Sequence, residues 1–416
     1  MPIECHGSNG GRPSAKGPMT VSRFAHARRV AVRTTGVAAG ALGLLIAAGS
    51  AFMFHFTLDD RAPISMMKLV KAGKIKGAAL EGEHRDADEE VRAARWFERV
   101  KEPTWTVSED GLRLHAWMLP PSQSPVATSS LCSPLQRDAS LKTVENQGIP
   151  AVRHAAVAGG ATHAGTRDAA AHAGAQGVTV DERFPYAPTH RYVILQHGYT
   201  GRPREMAKYA RRFADMGFTA IAPAARGHEL SEGRYVGMGW LDRRDLMQWV
   251  RFVVRHDPQA RIMLYGVSMG AAAVMMTVGE TDLPDNVVAA IEDCGYSSVW
   301  DQFMENAVSM YHLPARCLAV PVLACMSLCC RLRAGYGFRQ ASSVRQLRRS
   351  HVPMLFIHGS ADTFVAPTFL DRNFAACASP DKTRLVIDGA GHAMSASADP
   401  DRYWAAVGAF IRRVCP

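Results

Sequence analysis

The sequence predicts an α/β fold, with a mostly parallel sheet covered by helices on both faces, and three observations predict it. Short apolar runs at 191–196, 219–223, 262–265, 287–293, 354–358 and 384–388 read as strands. Helical patterns fall between or after them, over about 205–216, 240–255 and 401–413. The strand runs are almost wholly apolar rather than alternating, as expected of strands buried on both faces, and strands alternating with helices need parallel crossovers.

Bulk properties agree with that reading. The chain has 416 residues, room for one large domain plus appendages, and 47% hydrophobic with 21% charged residues is a globular composition. Nine cysteines are an odd number, and Cys329 and Cys330 are adjacent, so no disulfide-dependent fold and no zinc-type pairing is expected. The net charge of +10 is concentrated in two places, a net +5 over residues 1–33 and seven arginines without an acid over 316–349. A nucleic-acid-binding domain would spread its basic face and carry a reader motif. Neither is found, so no nucleic-acid partner is expected, and lipid headgroups fit the charge better.

Residues 1–33 read as a disordered basic tail on the cytoplasmic side, in which Met19 could serve as the start as well as Met1. An uncharged run follows over 34–58, long enough for a bilayer core that takes roughly 20 helical residues. Basic residues precede it and Asp59 and Asp60 follow it, which predicts a single-pass signal-anchor with the remainder extracytoplasmic. A cleaved signal peptide is the competing reading, from the small residues at 47–51. The apolar run continues past them to Phe56, which favours a retained anchor.

Residues 59–103 read as a helical stalk or cover, and 104–118 as a hairpin about Asp110-Gly111. From 120 to 189 alanine, histidine, glycine and threonine dominate without periodicity, predicting a disordered insertion within a domain that spans 104–416. Its histidines at 154, 163 and 172 lack metal-ligand spacing, so no metal is expected. Between 296 and 349 the strand–helix alternation breaks. The apolar stretch 318–330 is too short to cross a membrane and is read as part of a helical cap over the site.

The chemistry concentrates at Gly266-Val267-Ser268-Met269-Gly270, which joins the strand 262–265 to a helix rich in small residues. A G-x-S-x-G between strand and helix is a nucleophile elbow. The glycines let strand and helix close, and the serine stands at the positive helix end beside the unpaired N–H of Met269. Asp362 follows the strand 354–358, in Gly359-Ser-Ala-Asp, and His392 follows the last strand, in Gly389-Ala-Gly-His. All three fall at C-terminal strand ends, where open α/β sheets build their sites.

In these motifs and their order Ser…Asp…His, the chain over about 104–414 resembles the α/β-hydrolase superfamily, and its loops look most like membrane-anchored bacterial hydrolases near the serine aminopeptidases. The resemblance implies an α/β-hydrolase fold and a catalytic triad, Ser268 as nucleophile, His392 as base and Asp362 as its orienting acid, acting without a cofactor. It also implies an oxyanion hole from the backbone N–H groups of Met269 and of Tyr199, in His197-Gly198-Tyr199. Asp293 is the other acid after a strand. The small residues around Asp362, which let its loop fold towards the histidine, favour Asp362. The loop 223–231 departs from the family pattern, with Ala224 in an acid's place and Glu229 in a glycine's.

The expected activity is cleavage of a carboxylic ester through an acyl-enzyme. A small-molecule acyl ester or a lipid-like substrate would suit it, given the apolar cap and its arginines. Amidase, peptidase and acyltransferase activities use the same triad, and the reading from another class is an inactive hydrolase fold used for binding.

Overall fold

Eight strands form one sheet in the order β1-β2-β4-β3-β5-β6-β7-β8. The computed structural model describes residues 20–74, 84–122, 184–312 and 314–415. In chain order the elements are α1 (Thr20–Leu58), α2 (Met66–Lys71), α3 (Ala87–Val100), β1 (Glu102–Val107), β2 (Arg113–Leu119) and β3 (Arg191–Gln196). Then come α4 (Ala207–Asp215), β4 (Thr219–Pro223), α5 (Asp242–His256), β5 (Arg261–Val267), α6 (Met269–Thr277) and β6 (Val287–Asp293). The chain ends with α7 (Val299–Tyr311), α8 (Val320–Ala334), α9 (Ser343–Leu347), β7 (Met354–Gly359), α10 (Thr368–Ala376), β8 (Lys382–Ile387), α11 (Ser395–Ala398) and α12 (Pro400–Val414).

β1 and β2 form the expected hairpin, antiparallel to each other, and β2 lies antiparallel to β4. All pairings from β4 through β8 are parallel. β3 and β4 are neighbours, and the chain then crosses to pair β5 on the other side of β3. The order therefore reverses at β3/β5, a topological switch point, where the loops leaving two adjacent strands diverge and leave a crevice. One face of the sheet buries Tyr209, Phe213, Tyr265 and Tyr403, the other Trp249, Phe252, Ile262 and Phe356.

A third cluster lies above the strand ends and joins α1 to the cap: Phe54 and Leu58 pack with Val236, Tyr296, Trp300, Met326 and Tyr336. α3 covers the sheet's flank by placing Trp96 and Phe97 in the core with α4.

Two expectations need correction. The basic tail was expected to be disordered up to residue 33, but the backbone is helical from Thr20. Residues 24–33 are rich in Ala, Val and Arg, contain no Gly or Pro, and adjoin a helix already formed, so extension costs no new nucleation. The insertion was expected to run to 189, but 184–189 belong to the folded domain. Phe184 packs on Phe252 and His256, and the Tyr186 hydroxyl donates to the Val100 carbonyl at 2.9 Å. Phe184 and Tyr186 supply aromatic side chains, a residue type absent from the alanine-rich sequence before them. Residues 1–19 of the tail and 123–183 of the insertion, with His154, His163 and His172, lie outside the described residues.

Candidate active site

The elbow is built by close approach. A Cβ on Gly266 would collide with the Gly270 carbonyl, and one on Gly270 with the carbonyl of Gln196 at the end of β3. Only glycine permits the strand–helix contact that pushes residue 268 outward. Ser268 itself has φ +58° and ψ −116°, a strained conformation costing about 1–3 kcal/mol. Its N–H donates to the Asp293 carbonyl at 2.8 Å, and its carbonyl accepts from Ala272 at 3.0 Å, so β6 and α6 together hold the strain.

Ser268 Oγ lies 2.9 Å from His392 Nε2, and His392 Nδ1 lies 2.8 Å from Asp362 Oδ2. The structure thus brings the three residues together although they stand on separate loops. Asp362 is fixed from every side. Its Oδ1 accepts the N–H groups of Phe364 and Val365 at 2.9 and 2.8 Å, and its Oδ2 also faces His358 Nε2 at 3.2 Å. Burial would raise the Asp362 carboxyl, but the two histidines outweigh it and hold the group far below the usual range, so it stays ionised. Phe364 places its ring 5.0 Å from the His392 ring.

Asp293 sits elsewhere. It accepts from the Tyr403 hydroxyl at 3.0 Å, inside a buried pair in which the Tyr265 and Tyr403 hydroxyls are 2.5 Å apart. Burial pushes Asp293 up to about 6 and its neighbour Glu292 up to about 8.

The two expected oxyanion donors flank Ser268. Met269 opens α6, in the turn where a helix leaves its N–H groups unpaired. The loop carrying Tyr199 leaves β3 and passes so near the serine that a Cβ on Gly198 would sit 3.3 Å from Ser268 Cβ. Sequence reasoning did not find what braces this loop. His197 Nδ1–H donates to the Gly198 carbonyl at 2.8 Å, while Nε2 accepts the Ala225 N–H at 3.0 Å. Burial, with His228 close by, lowers this imidazole to about 3, which keeps it neutral with one tautomer fixed. His358 behind Asp362 was also missed, as was the Tyr199 hydroxyl, which donates to the Thr57 carbonyl of α1. The only signal for the histidines was their place at the ends of β3 and β7. Nothing local marked the Tyr199–Thr57 contact.

In the loop 223–231, Arg226 pairs with Asp245 at 2.7 Å and with Asp110 of the hairpin turn at 2.9 Å. Glu229 occupies the glycine's place with φ +46°.

Two cavities meet at Ser268. One, of about 450 Å³, has Glu90, Glu205, Lys208 and His392 among its lining. The other, of about 420 Å³, is walled by Met53, Phe56, Phe303, Leu323 and Met326. Among the described residues, two groups gather three metal-type donors. In the first, Cys294, Asp362 and His392, the acid and imidazole are engaged with each other and with the serine. In the second, His84, Asp86 and Glu90, Asp86 lies 3.4 Å from the Lys208 ammonium and Glu90 lies 3.8 Å from His84. Neither arrangement argues for a bound ion.

The chain is similar to several known proteins. Residues 187–319 match the model of the serine aminopeptidase S33 family. An uncharacterized protein of Bacillus subtilis, YqkD, is 25% identical over 224 residues, covering 54% of this chain and 72% of its own. Among solved structures, a Pyrococcus furiosus esterase aligns over 76% of this chain and 92% of its own at 16% identity and TM-score 0.48. The Pyrococcus horikoshii acylaminoacyl peptidase aligns over 76% of this chain and 42% of its own at 13% identity and TM-score 0.44. The sheet order and the elbow give the chain an α/β-hydrolase fold, and its central stretch, residues 187–319, is similar to the serine aminopeptidase S33 family.

Proposed function

We propose that the protein is a membrane-anchored serine hydrolase that cleaves a carboxylic ester through an acyl-enzyme. The observation that carries this is the unbroken hydrogen-bonded line from Asp362 through His392 to Ser268 Oγ, with separations of 2.8 and 2.9 Å. His392 Nε2 takes the serine proton as Oγ attacks the ester carbonyl carbon, and Asp362 stabilises the imidazolium. The negative oxygen is bound by the Met269 and Tyr199 N–H groups, the role worth about 10²–10³ per donor in other hydrolases. Collapse breaks the carbon–oxygen bond, and His392 returns the proton to the departing alkoxide. Water, deprotonated by the same imidazole, then releases the acid and restores the serine.

An ester is favoured because an alkoxide leaves more readily than an amine anion. The second reading, amide or peptide cleavage, draws on Glu90 and Glu205 in the first cavity, whose carboxyls would suit a cationic amine.

For localisation, α1 supplies a stretch, Ala39–Leu58, long and apolar enough to cross a bilayer. With basic residues before it and Asp59-Asp60 after it, the proposed topology puts the hydrolase domain outside the cytoplasm.

The test is labelling with a fluorophosphonate, followed by assays on matched ester and amide substrates. The expected outcome is one adduct on Ser268, lost in Ser268→Ala, with ester turnover exceeding amide turnover. An unlabelled, inactive protein that binds ligands would instead be a binding module.

A further inference from the structure

α1 is more than a tether. Its last turns enter the hydrolase domain: Ser50, Phe54 and Leu58 are fully buried, and the Ser50 hydroxyl lies 3.2 Å from the Val322 carbonyl of α8. Asp59, just beyond, is buried and pairs with Arg234 at 2.9 Å. Residues Met53 and Phe56 of α1 face Phe303 of α7 and Leu323 and Met326 of α8 across the apolar cavity that ends at Ser268. At about 420 Å³ the cavity falls within the range of ligand sites, about 300–1,000 Å³.

Helix length fixes the depth of this cavity relative to a bilayer. A hydrocarbon core takes roughly 20 helical residues. Counted from Thr34, the first residue after Arg33, that span is used up at about Met53, and counted over the apolar stretch Ala39–Leu58 it ends little more than one helical turn further on. The membrane surface then falls at the level where α8 packs on α1. α8 also presents an outward row at helical spacing, Val320, Ala324, Leu328 and Leu332, of which Leu328 is 57% and Leu332 75% exposed. Isolated surface leucines need no explanation, but an i, i+4, i+8, i+12 row beside a membrane helix makes one continuous apolar face. Exposed arginines at 331 and 333 bracket Leu332, where they can reach headgroups.

We propose that the cavity between α1 and α8 takes the long acyl chain of a membrane-borne ester, and that the α8 row rests in the outer part of the bilayer beside it. This rests on the hydrolase reading above and names its substrate class. The acyl chain lies against Met53, Phe56 and Met326, the ester carbonyl reaches Ser268, and the other cavity, with Glu90, Glu205 and Lys208 in its lining, receives the alcohol. The membrane helix thereby becomes a wall of the substrate site, and substrate reaches the serine without leaving the lipid surface.

The experiment uses the full-length protein in phosphatidylcholine/phosphatidylglycerol vesicles, with acetyl and decanoyl esters of 4-methylumbelliferone. Met326→Trp fills the cavity and should lower the decanoyl-to-acetyl ratio of kcat/KM at least tenfold. Leu328→Glu with Leu332→Glu changes only the exposed face. It should cut decanoyl turnover in vesicles about tenfold and leave acetyl turnover and fluorophosphonate labelling unaltered. An unchanged ratio in the first variant together with unchanged vesicle turnover in the second overturns the proposal. So does a dimer in detergent that the double charge splits, because a second copy would then be what covers the α8 row. Loss of all activity in Ser268→Ala alongside either result shows that the hydrolase reading stands and only the acyl site has failed. Activity surviving in Ser268→Ala removes the hydrolase reading itself.

Discussion

Tyr199 donates its phenolic hydrogen to the carbonyl oxygen of Thr57, so the loop proposed to bind the oxyanion is bonded to the last turn of α1. Thr57 is one of the final residues of its helix, where carbonyls lack intrahelical partners. The contact satisfies one of them and links α1, loop and serine in sequence. Burial raises the phenol well above its usual value, so it remains a donor at all relevant pH.

Tyr199→Phe keeps the ring and the backbone N–H but removes that bond. A hydrogen bond contributes about 1 kcal/mol net, and the orphaned carbonyl costs about 1–3 kcal/mol. The expected outcome is a melting temperature lower by about 2–6 °C and a turnover several-fold lower, with Ser268 still labelled by fluorophosphonate. Unchanged melting and turnover would mean that the loop is held by His197 alone.

Gly270→Ala tests the elbow. The added methyl would meet the Gln196 carbonyl, which is backbone within a central strand and cannot move aside. A loss above about 3 kcal/mol is expected, read as failure to accumulate folded protein or a collapsed urea midpoint. Gly389→Ala is the contrast. It has φ +71° but open space around it, so the loss should stay near about 1 kcal/mol.

Most of the sheet could be read from the sequence because each parallel strand is a short apolar run ending in turn residues, as at 191–196 and 287–293. Ser268, Asp362 and His392 could be read because each follows such a run directly. Contacts between distant segments could not. His358 was visible as the end of a strand, yet its approach to Asp362 depends on how the following loop folds back. The end of α1 was visible as an apolar helix, but nothing in residues 50–58 distinguishes packing on lipid from packing on α8. The boundary at 184 was missed because Phe184 and Tyr186 are too few to register against an alanine-rich background.

Topology can be checked at Cys317, which is exposed within the cap, just before α8. In a background lacking Cys5 and Cys132, an impermeant maleimide added to intact cells should label the protein, and Cys317→Ser should remove most of the label. Labelling that requires permeabilised cells would place the hydrolase domain in the cytoplasm.

Stability should fall as pH rises, and Glu292 is one reason. Burial lifts its carboxyl from 4.5 to about 8, against the opposing influence of His358 and the Gly295 N–H. Between those values the folded protein holds a proton that the unfolded chain releases, so each unit of pH rise costs stability, by at most about 1.4 kcal/mol. Glu292→Gln removes this titration. The urea midpoint of the variant relative to the unsubstituted protein should therefore improve steadily from pH 5 to pH 8. A constant difference across that range would show that Glu292 is not protonated in the folded state.

The acid that orients His392 can be identified by two amide substitutions. Asp362 Oδ2 lies 2.8 Å from His392 Nδ1, whereas the Asp293 carboxylate accepts from the Tyr403 hydroxyl. An amide at 362 keeps the size of the group but presents no full charge to an imidazolium, and it can turn its NH₂ towards Nδ1, reversing the tautomer. In a comparable triad that change costs about 10⁴ in turnover. Asp362→Asn should fall by that order while remaining folded, because the Phe364 and Val365 N–H groups can still donate to the amide oxygen. Asp293→Asn still accepts from Tyr403 and loses a carboxyl that burial already pushes up to about 6, so its turnover should stay within about tenfold. Collapse of turnover in Asp293→Asn, with Asp362→Asn active, would transfer the orienting role to β6.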